Sequence, residues 1–254
     1  MPEPDLSECS VAWLGHSTVL IEMDGVRILT DPVLRRRVSH LVRAVPPPAT
    51  PDPPDAILIS HGHLDHLDFP SLARFPRETL VAAPQGLGQL IARRGFRNVR
   101  ELAVGSTCEV GPVTVRATPA EHGGGKPLPG RSRNTVGYAV TGSVSLFFAG
   151  DTDLFDEMDG LVPGLDLALV PIWGWGPTIG PGHLDPGRAA RALALLRPRL
   201  AVPIHWGTLR PVFHSARAAF VREPLDAFVA AAAREAPAVE IHVLEPGGSL
   251  RLPR

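Results

Sequence analysis

Residues 60–68 read Ser-His-Gly-His-Leu-Asp-His-Leu-Asp, which places the imidazoles of His61, His63 and His66 and the carboxylate of Asp65 within six residues. They directly follow the apolar run 56–59. Imidazole and carboxylate together suit borderline divalent metals, zinc above all. Helical zinc motifs place their histidines four apart on one face. His61 and His63 are two apart, so they suit an extended strand end that runs into a turn around a metal. The alternative is a solvated polar turn, but chance seldom assembles this set of residues.

Three further segments end an apolar run with a ligand-type residue. His122 follows 113–117, Asp151 follows 144–149 in the sequence Gly150-Asp151-Thr152, and His205 follows 200–204. Strand ends that converge on one sheet edge build a site on a rigid scaffold. The elements that must position them are legible in part. Strands are expected at 11–14, 18–23 and 26–30, the last two joined by Asp24-Gly25, a strong hairpin signal. Others are expected at 56–60, 79–82, 113–117, 136–141 and 144–149, with Gly142-Ser143 as a second hairpin turn. A helix is expected from about Pro84 to Arg94, stopped by Gly95. Farther on, strands at 166–171 and 200–204 flank a helix that begins at Asp185-Pro186. Leu225, Phe228, Val229 and Ala232 repeat with helical spacing, and a strand at 239–244 closes the pattern. Strand-rich blocks mixed with helices imply α/β or α+β layers.

Composition narrows the function classes. The 254 residues are enough for a sizeable core in one domain spanning 1–254. With 25 basic against 26 acidic residues there is no broad field to recruit nucleic acid. Cys9 and Cys108 show no pairing pattern and no zinc-thiolate motif, which reads as ordinary thiols in a reducing compartment. The acidic start 1–5 lacks the order of a signal peptide, and no apolar run approaches the ~20 residues that span a bilayer. A cytoplasmic protein without an integral membrane segment is expected, and a homo-oligomer is compatible with the sequence. The 28 prolines are spread through the chain, and the densest stretch, 46–54, reads as a stiff connector.

With its motifs in this order (His61-x-His63-x-Asp65-His66, His122, Gly150-Asp151-Thr152, His205), the chain resembles the metallo-β-lactamase superfamily from about Val11 to Thr208. The resemblance implies an αββα sandwich of two mixed sheets flanked by helices, with a dinuclear site between the sheets. It implies that His61, His63 and His122 hold one metal, that Asp65, His66 and His205 hold a second, and that Asp151 bridges both. Gly15-His16-Ser17-Thr18, Thr30-Asp31-Pro32 and His205-Trp206-Gly207-Thr208 look most like one branch. That branch contains N-acyl-phosphatidylethanolamine phospholipase D and the ascorbate-phosphate lactonases. His183-Leu184-Asp185-Pro186 is similar to an element that lies near the metals in the phospholipases. His122 is followed by Gly123-Gly124-Gly125-Lys126, where those phospholipases usually carry Trp and a nearby Arg.

The implied activity is metal-dependent hydrolysis of a small phosphodiester, ester or lactone, an anionic one included, by a hydroxide bridging two divalent ions. Those ions are read as Zn2+, with Mn2+ or Fe2+ as alternatives. Asp65 would orient the nucleophile, and His183 is the candidate general acid or oxyanion contact. Sugar-phosphate-type lactonase and phospholipase D-like phosphodiesterase both stay open. Outside that class stand a non-catalytic metal-binding scaffold and a di-iron redox protein, although the redox relatives typically carry Glu at the position of His63. His16, Asp31 and Asp68 are candidates for orienting ligands; structural hydrogen bonds, or for Asp68 a helix cap, are the rival readings. His40, His214 and His242 read as surface residues. Arg35, Arg36, Arg37 and Arg43 read as a solvated loop, with attraction of an anionic substrate as the alternative. Residues 123–126 lack phosphate-loop spacing and read as a flap over the metals. Trp173 and Trp175 are expected either in a pocket wall or in ordinary packing.

Overall fold

The computed structural model describes residues 9–123 and 134–252. The first half of the chain runs β1 (Cys9–Gly15), β2 (Thr18–Met23), β3 (Val26–Thr30), β4 (Arg37–Val38), β5 (Leu41–Arg43) and β6 (Ala56–Leu58). It continues through α1 (Phe69–Leu72), β7 (Leu80–Pro84), α2 (Gly88–Ala92) and β8 (Val99–Leu102). The second half runs β9 (Thr107–Val110), β10 (Val113–Thr118), β11 (Gly137–Thr141), β12 (Ser145–Phe148), β13 (Leu167–Pro171) and α3 (Pro186–Leu196). Then come β14 (Leu200–Ile204), β15 (Leu209–Pro211), α4 (Glu223–Glu235), β16 (Glu240–Ile241) and β17 (Ser249–Leu252).

Asp24 and Gly25 both have positive φ, 51° and 80°. A two-residue turn needs that geometry to match the twist of flanking strands, so β2 and β3 pair in tight register. Two seven-stranded sheets result, ordered β17-β1-β2-β3-β6-β7-β8 and β16-β14-β13-β12-β11-β10-β9. Each joins an antiparallel meander to a parallel block, so the two halves of the chain repeat one plan that no sequence repeat announces. The alternating apolar residues of β1 and β2, Val11, Trp13, Val19 and Ile21, share one buried cluster with Val113, Tyr138 and Phe148 of the other sheet. This is the two-layer core of a sandwich. α1 and α2 cover the outer face of the first sheet, where Ile57, Val81, Leu72 and Ile91 pack. α3 and α4 lie against each other, with Leu193 and Phe228 buried, on the second sheet. The layers are therefore αββα, as the resemblance implies. Among the described residues no helix is long and apolar enough to cross a membrane.

Several expected boundaries move. The helix expected from Pro84 to Arg94 shrinks to Gly88–Ala92, because Pro84 ends a strand paired to Leu102. Glu101 Oε1 also accepts from the amides of Gly86 and Gly88, at 2.9 and 2.5 Å, and holds residues 86–88 in a turn. The strand expected over 239–244 pairs only at Glu240–Ile241, on the edge of its sheet. Asp185 caps α3 through the amide of Arg188, with Pro186 following as the first helical residue.

A third small sheet, ordered β15-β5-β4, was not legible in the sequence. It buries Arg43, contrary to the expectation of a solvated residue: the guanidinium donates to Val33 O (2.8 Å) and Leu14 O (2.7 Å). Burial pushes its pKa down to about 10. Arg35 is likewise engaged, in a two-pronged ion pair with Asp68, which also caps α1.

The two large sheets are tied beside residue 60 by Tyr138, whose buried hydroxyl donates to Ile59 O at 2.8 Å. Removing that hydroxyl leaves a buried carbonyl unpaired. Tyr138→Phe should therefore lower stability by about 1–2 kcal/mol, read as a fall of a few degrees in a thermal melt. An unchanged melting temperature would mean that the bond contributes nothing.

Candidate metal centre

β1, β3, β6, β10, β12, β13 and β14 all end at the same edge of the sandwich, and the site stands there, where strand ends present loops to a cleft. β6 delivers Ser60 and the turn 61–66, which is closed by the amides of His66 and Leu67 bonding to His63 O. His122 follows β10, Asp151 follows β12 and His205 follows β14. Gly150 has φ 61°, and a Cβ there would come within 2.7 Å of Ser60 Cβ, so the second sheet approaches the first through a glycine.

All seven ligands implied by the resemblance come together. Nitrogens and carboxylate oxygens of His61, His63 and His122 lie within 4.8 Å of one another, and the same limit holds for the set His61, His66 and Asp151. His63 Nδ1 and His122 Nε2 are 3.2 Å apart, as are His66 Nε2 and His205 Nε2. Asp151, 2% exposed, sits between the groups: Oδ2 is 3.2 Å from His66 Nε2 and 3.9 Å from His61 Nε2, and Oδ1 is 3.1 Å from His205 Nε2. Among the described residues Asp151 Oδ1 nevertheless has no hydrogen-bond partner, and neither does the buried His61 Nε2.

The outward ring nitrogens explain this arrangement. His66 Nδ1 meets Asp31 Oδ2 at 2.8 Å, His205 Nδ1 meets Trp173 O at 2.8 Å, and His122 Nδ1 meets Gly182 O at 2.7 Å. His61 Nδ1 meets Ser60 Oγ at 3.0 Å, and that hydroxyl in turn donates to Asp31 Oδ2 at 2.5 Å. Each acceptor takes a proton on Nδ1, so the Nε2 lone pairs of these four rings are left facing inward. Pinning the tautomer from behind is how proteins prepare imidazole for a metal.

The electrostatics agree. Burial pushes His61 well below its ordinary value, lowers His63 and His16, and takes His205 down to about 3. Burial raises the carboxyls of Asp65 and Asp151, but the imidazoles around them win, His66 and His16 for the first and His205 and His66 for the second. Both therefore stay well below the carboxylate range. His66 goes the other way: burial opposes its charge, yet Asp151, Asp65 and Asp31 raise it well above its usual value. The pocket thus favours positive charge at one point, and a divalent cation placed there would displace that proton. The donor set, the orphaned inward atoms and the buried anions all fit a metal group.

His16 and Asp31 stand behind the inner side chains, Asp31 against Ser60 and His66 and His16 against Asp65. His16 Nε2 lies 3.0 Å from Asp65 Oδ2, its ring is 3.9 Å from that of His205, and its carbonyl accepts from the His205 amide and from Trp13 Nε1. A register shift in β1 between Trp13 and Gly15 turns the chain to aim it, a common use of a bulge beside a site. His16, Asp31 and His205 hold φ of 55°, 33° and 63°, so strained backbone gathers here. His183 Nε2 is 3.5 Å from Asp151 Oδ2, and its side chain is 23% exposed. Its Nδ1 faces the carbonyls of Gly180 and Pro181. Burial opposes its protonation, but Asp151 prevails and raises its pKa.

Of the remaining expectations, His40 and His214 are exposed and His242 is partly so. Trp173 packs on the core, while Trp175 meets His40 edge-on. In the flap reading, Gly124, Gly125 and Lys126 lie outside the described residues. The acceptors Trp173 O and Gly182 O were missed because backbone carbonyls carry no signal in a sequence.

An αββα sandwich with a His/Asp cluster at its strand-end edge defines the class of protein. The family model described as "Beta-lactamase superfamily domain" matches residues 26–206, and the chain belongs to that family. It is 34% identical to a UPF0173 metal-dependent hydrolase of Methanopyrus kandleri, over 94% of this chain and 98% of the relative. It is 33% identical to N-acyl-phosphatidylethanolamine-hydrolyzing phospholipase D 1 of Caenorhabditis elegans, over 77% of this chain and 63% of the enzyme. The solved structure of Igni18, a metallo hydrolase from Ignicoccus hospitalis, superposes with a TM-score of 0.72 at 22% identity, covering 97% and 99% of the two chains.

Asp31→Asn should test the orienting network, since an amide nitrogen would face Ser60 Oγ or His66 Nδ1. Metal affinity measured against a competing chelator should fall about 10–100-fold. An affinity equal to wild type would remove Asp31 from any orienting role.

Proposed function

We propose that this chain is a single-domain, metal-dependent hydrolase with a dinuclear site. In this reading His61, His63 and His122 hold one ion, Asp65, His66 and His205 hold the other, and Asp151 stands between them. The observation that carries the reading is the inward convergence of nitrogens whose opposite ring atoms are already tied down. Nitrogen and oxygen donors suit zinc first, and also manganese or iron. When bound, two such ions supply Lewis acidity and a nucleophile at neutral pH.

The chain's own residues do the rest. Asp65, held by His16, and Asp151, held among four imidazoles, offset part of the positive charge and set the direction of attack. His183 is partly exposed at the mouth beside Asp151, within reach of a leaving group on the open side. It donates the proton that a departing alkoxide needs. The substrate class is a small phosphodiester, ester or lactone. The phosphodiester reading draws on the similarity to a relative named as a phospholipase D, and the lactone reading on the motifs shared with the lactonase branch.

The deciding experiment is elemental analysis of protein purified without added metal, paired with turnover of bis-nitrophenyl phosphate and a lactone panel. About two zinc or manganese ions per chain with chelator-sensitive turnover is the expected result. Stoichiometric iron without hydrolysis would indicate a redox protein, and one inert zinc a scaffold. Asp151→Ala should lose both metal and activity, and near-normal turnover in that variant would remove Asp151 from the bridge. His183→Ala should keep its metal while kcat drops about 10²–10⁴-fold; an unchanged kcat would rule out the general-acid role.

A further inference from the structure

The metal chemistry makes no use of one buried charge beside the site. Arg43, on β5, is 5% exposed, and among the described residues no carboxylate lies within ion-pair reach of it. A buried cation without a counter-ion is costly to desolvate, so packing alone would favour an apolar side chain there.

A guanidinium is a rigid fork of donors, and here its two prongs reach different segments of the chain. Nη1 donates to Val33 O at 2.8 Å and Nη2 to Leu14 O at 2.7 Å. Nε has no hydrogen-bond partner among the described residues, so the side chain is spent on those two carbonyls. Each carbonyl lies two residues from a side chain that stands behind a metal ligand. Leu14 precedes His16, whose Nε2 meets Asp65 Oδ2 at 3.0 Å and whose carbonyl accepts from the His205 amide. Val33 follows Asp31, whose carboxylate meets His66 Nδ1 at 2.8 Å. Thr18 Oγ1 donates to Asp31 O at 2.8 Å and accepts from the Val33 amide at 3.0 Å. Residues 31–33 are thereby tied together and move with the Val33 carbonyl.

The third segment in contact carries His205. Arg43 pairs with Leu209 across β5 and β15, and the Ala44 amide donates to Thr208 O at 2.7 Å. Thr208 Oγ1 accepts from the His16 amide at 2.9 Å and donates to Trp206 O at 3.0 Å. A Cβ on Gly15 would come within 2.5 Å of Arg43 Nη2 and 2.8 Å of Thr208 Cγ2, so the guanidinium lies against the turn that carries His16. The small β4–β5–β15 sheet thus delivers one side chain between the loops that bear His16, Asp31 and His205.

We propose that Arg43 is a positioning residue of the metal centre. By clamping the Leu14 and Val33 carbonyls it holds His16 against Asp65 and Asp31 against His66, and with Thr208 it fixes the backbone beside His205. Buried and committed to two carbonyls, it does not reach a substrate. In the dinuclear reading, on which this assignment of ions rests, Asp65, His66 and His205 hold one ion, and that ion depends on the clamp. The other ion depends on it far less, since His122 is backed by Gly182 O, outside the clamp.

The test uses the whole chain loaded with zinc. Arg43→Met keeps a long side chain without charge or donors, and Arg43→Lys keeps the charge but replaces the fork with one ammonium. Phe228→Leu, a core change on α4, controls for lost stability alone. Against a competing chelator, Arg43→Met should lose one of its two ions at an affinity about 10–100-fold below wild type while the second ion stays. Arg43→Lys should recover part of that loss, and Phe228→Leu should hold both ions as wild type does. Proton–nitrogen correlation spectra of the imidazoles should show the His16 signals displaced in Arg43→Met, with those of His122 unmoved. Wild-type retention of both ions in Arg43→Met, equal loss of both, or unmoved His16 signals overturns the proposal. The same pattern of loss in Phe228→Leu overturns it too, because lost stability would then suffice. A wild-type chain that holds a single zinc refutes the dinuclear reading instead, and the His16 signals still decide the role of Arg43.

Discussion

The carboxylate of Asp31 is the interaction on which the rest of the site depends. It is fully buried at the end of β3, with a left-handed backbone that aims it across the sheet. It accepts from the Ser60 amide at 2.7 Å and the Ser60 hydroxyl at 2.5 Å, and it meets His66 Nδ1 at 2.8 Å. One buried anion therefore fixes the start of the turn at 60, orients His61 through the Ser60 hydroxyl, and sets the tautomer of His66. A buried charge is tolerated only when each lone pair is satisfied, and here satisfying it is what arranges the inward-facing donors.

That arrangement holds because it stands on a stiff frame. Donors come from both sheets, which are packed through a common core and pinned beside the site by Tyr138 and by the close approach of Gly150 to Ser60. The left-handed backbone of His16, Asp31 and His205 is unfavourable for side-chain-bearing residues and persists only where surrounding bonds over-determine it. The His205 amide bonded to His16 O, and the His16 amide bonded to Thr208 Oγ1, are two such bonds. Strain and ligand geometry are two aspects of the same local structure.

Charge is distributed with similar economy. The centre gathers buried carboxylates against imidazoles that burial keeps mostly neutral, so a cation is favoured there without any acidic surface. The neighbouring small sheet instead ties its arginines to backbone carbonyls, Arg37 to Ser39 O, Arg43 to Val33 O and Leu14 O, and Arg210 to Pro211 O and His214 O.

The chemistry was readable from the sequence because it lies in residue types at short spacing and at strand ends. His61-x-His63-x-Asp65-His66, His122, Gly150-Asp151-Thr152 and His205 each follow a short apolar run of the kind buried inside a sheet, and those before His61, Asp151 and His205 are buried almost without alternation. The Asp24-Gly25 turn was equally plain, since positive φ at both residues has a sequence signature. What stayed hidden depended on partners far along the chain. Helix α2 starts late because Glu101 holds the amides of residues 86 and 88, and the short strands β4, β5 and β15 exist only because they pair with one another. Arg43 reads as a solvated cation until the fold encloses it against two carbonyls. The sequence by itself determined which side chains could bind and titrate. Only the tertiary structure decided which carbonyl or carboxylate backs each imidazole and which arginines remain unpaired, because those choices are made by contacts between segments that lie from tens of residues to well over a hundred apart.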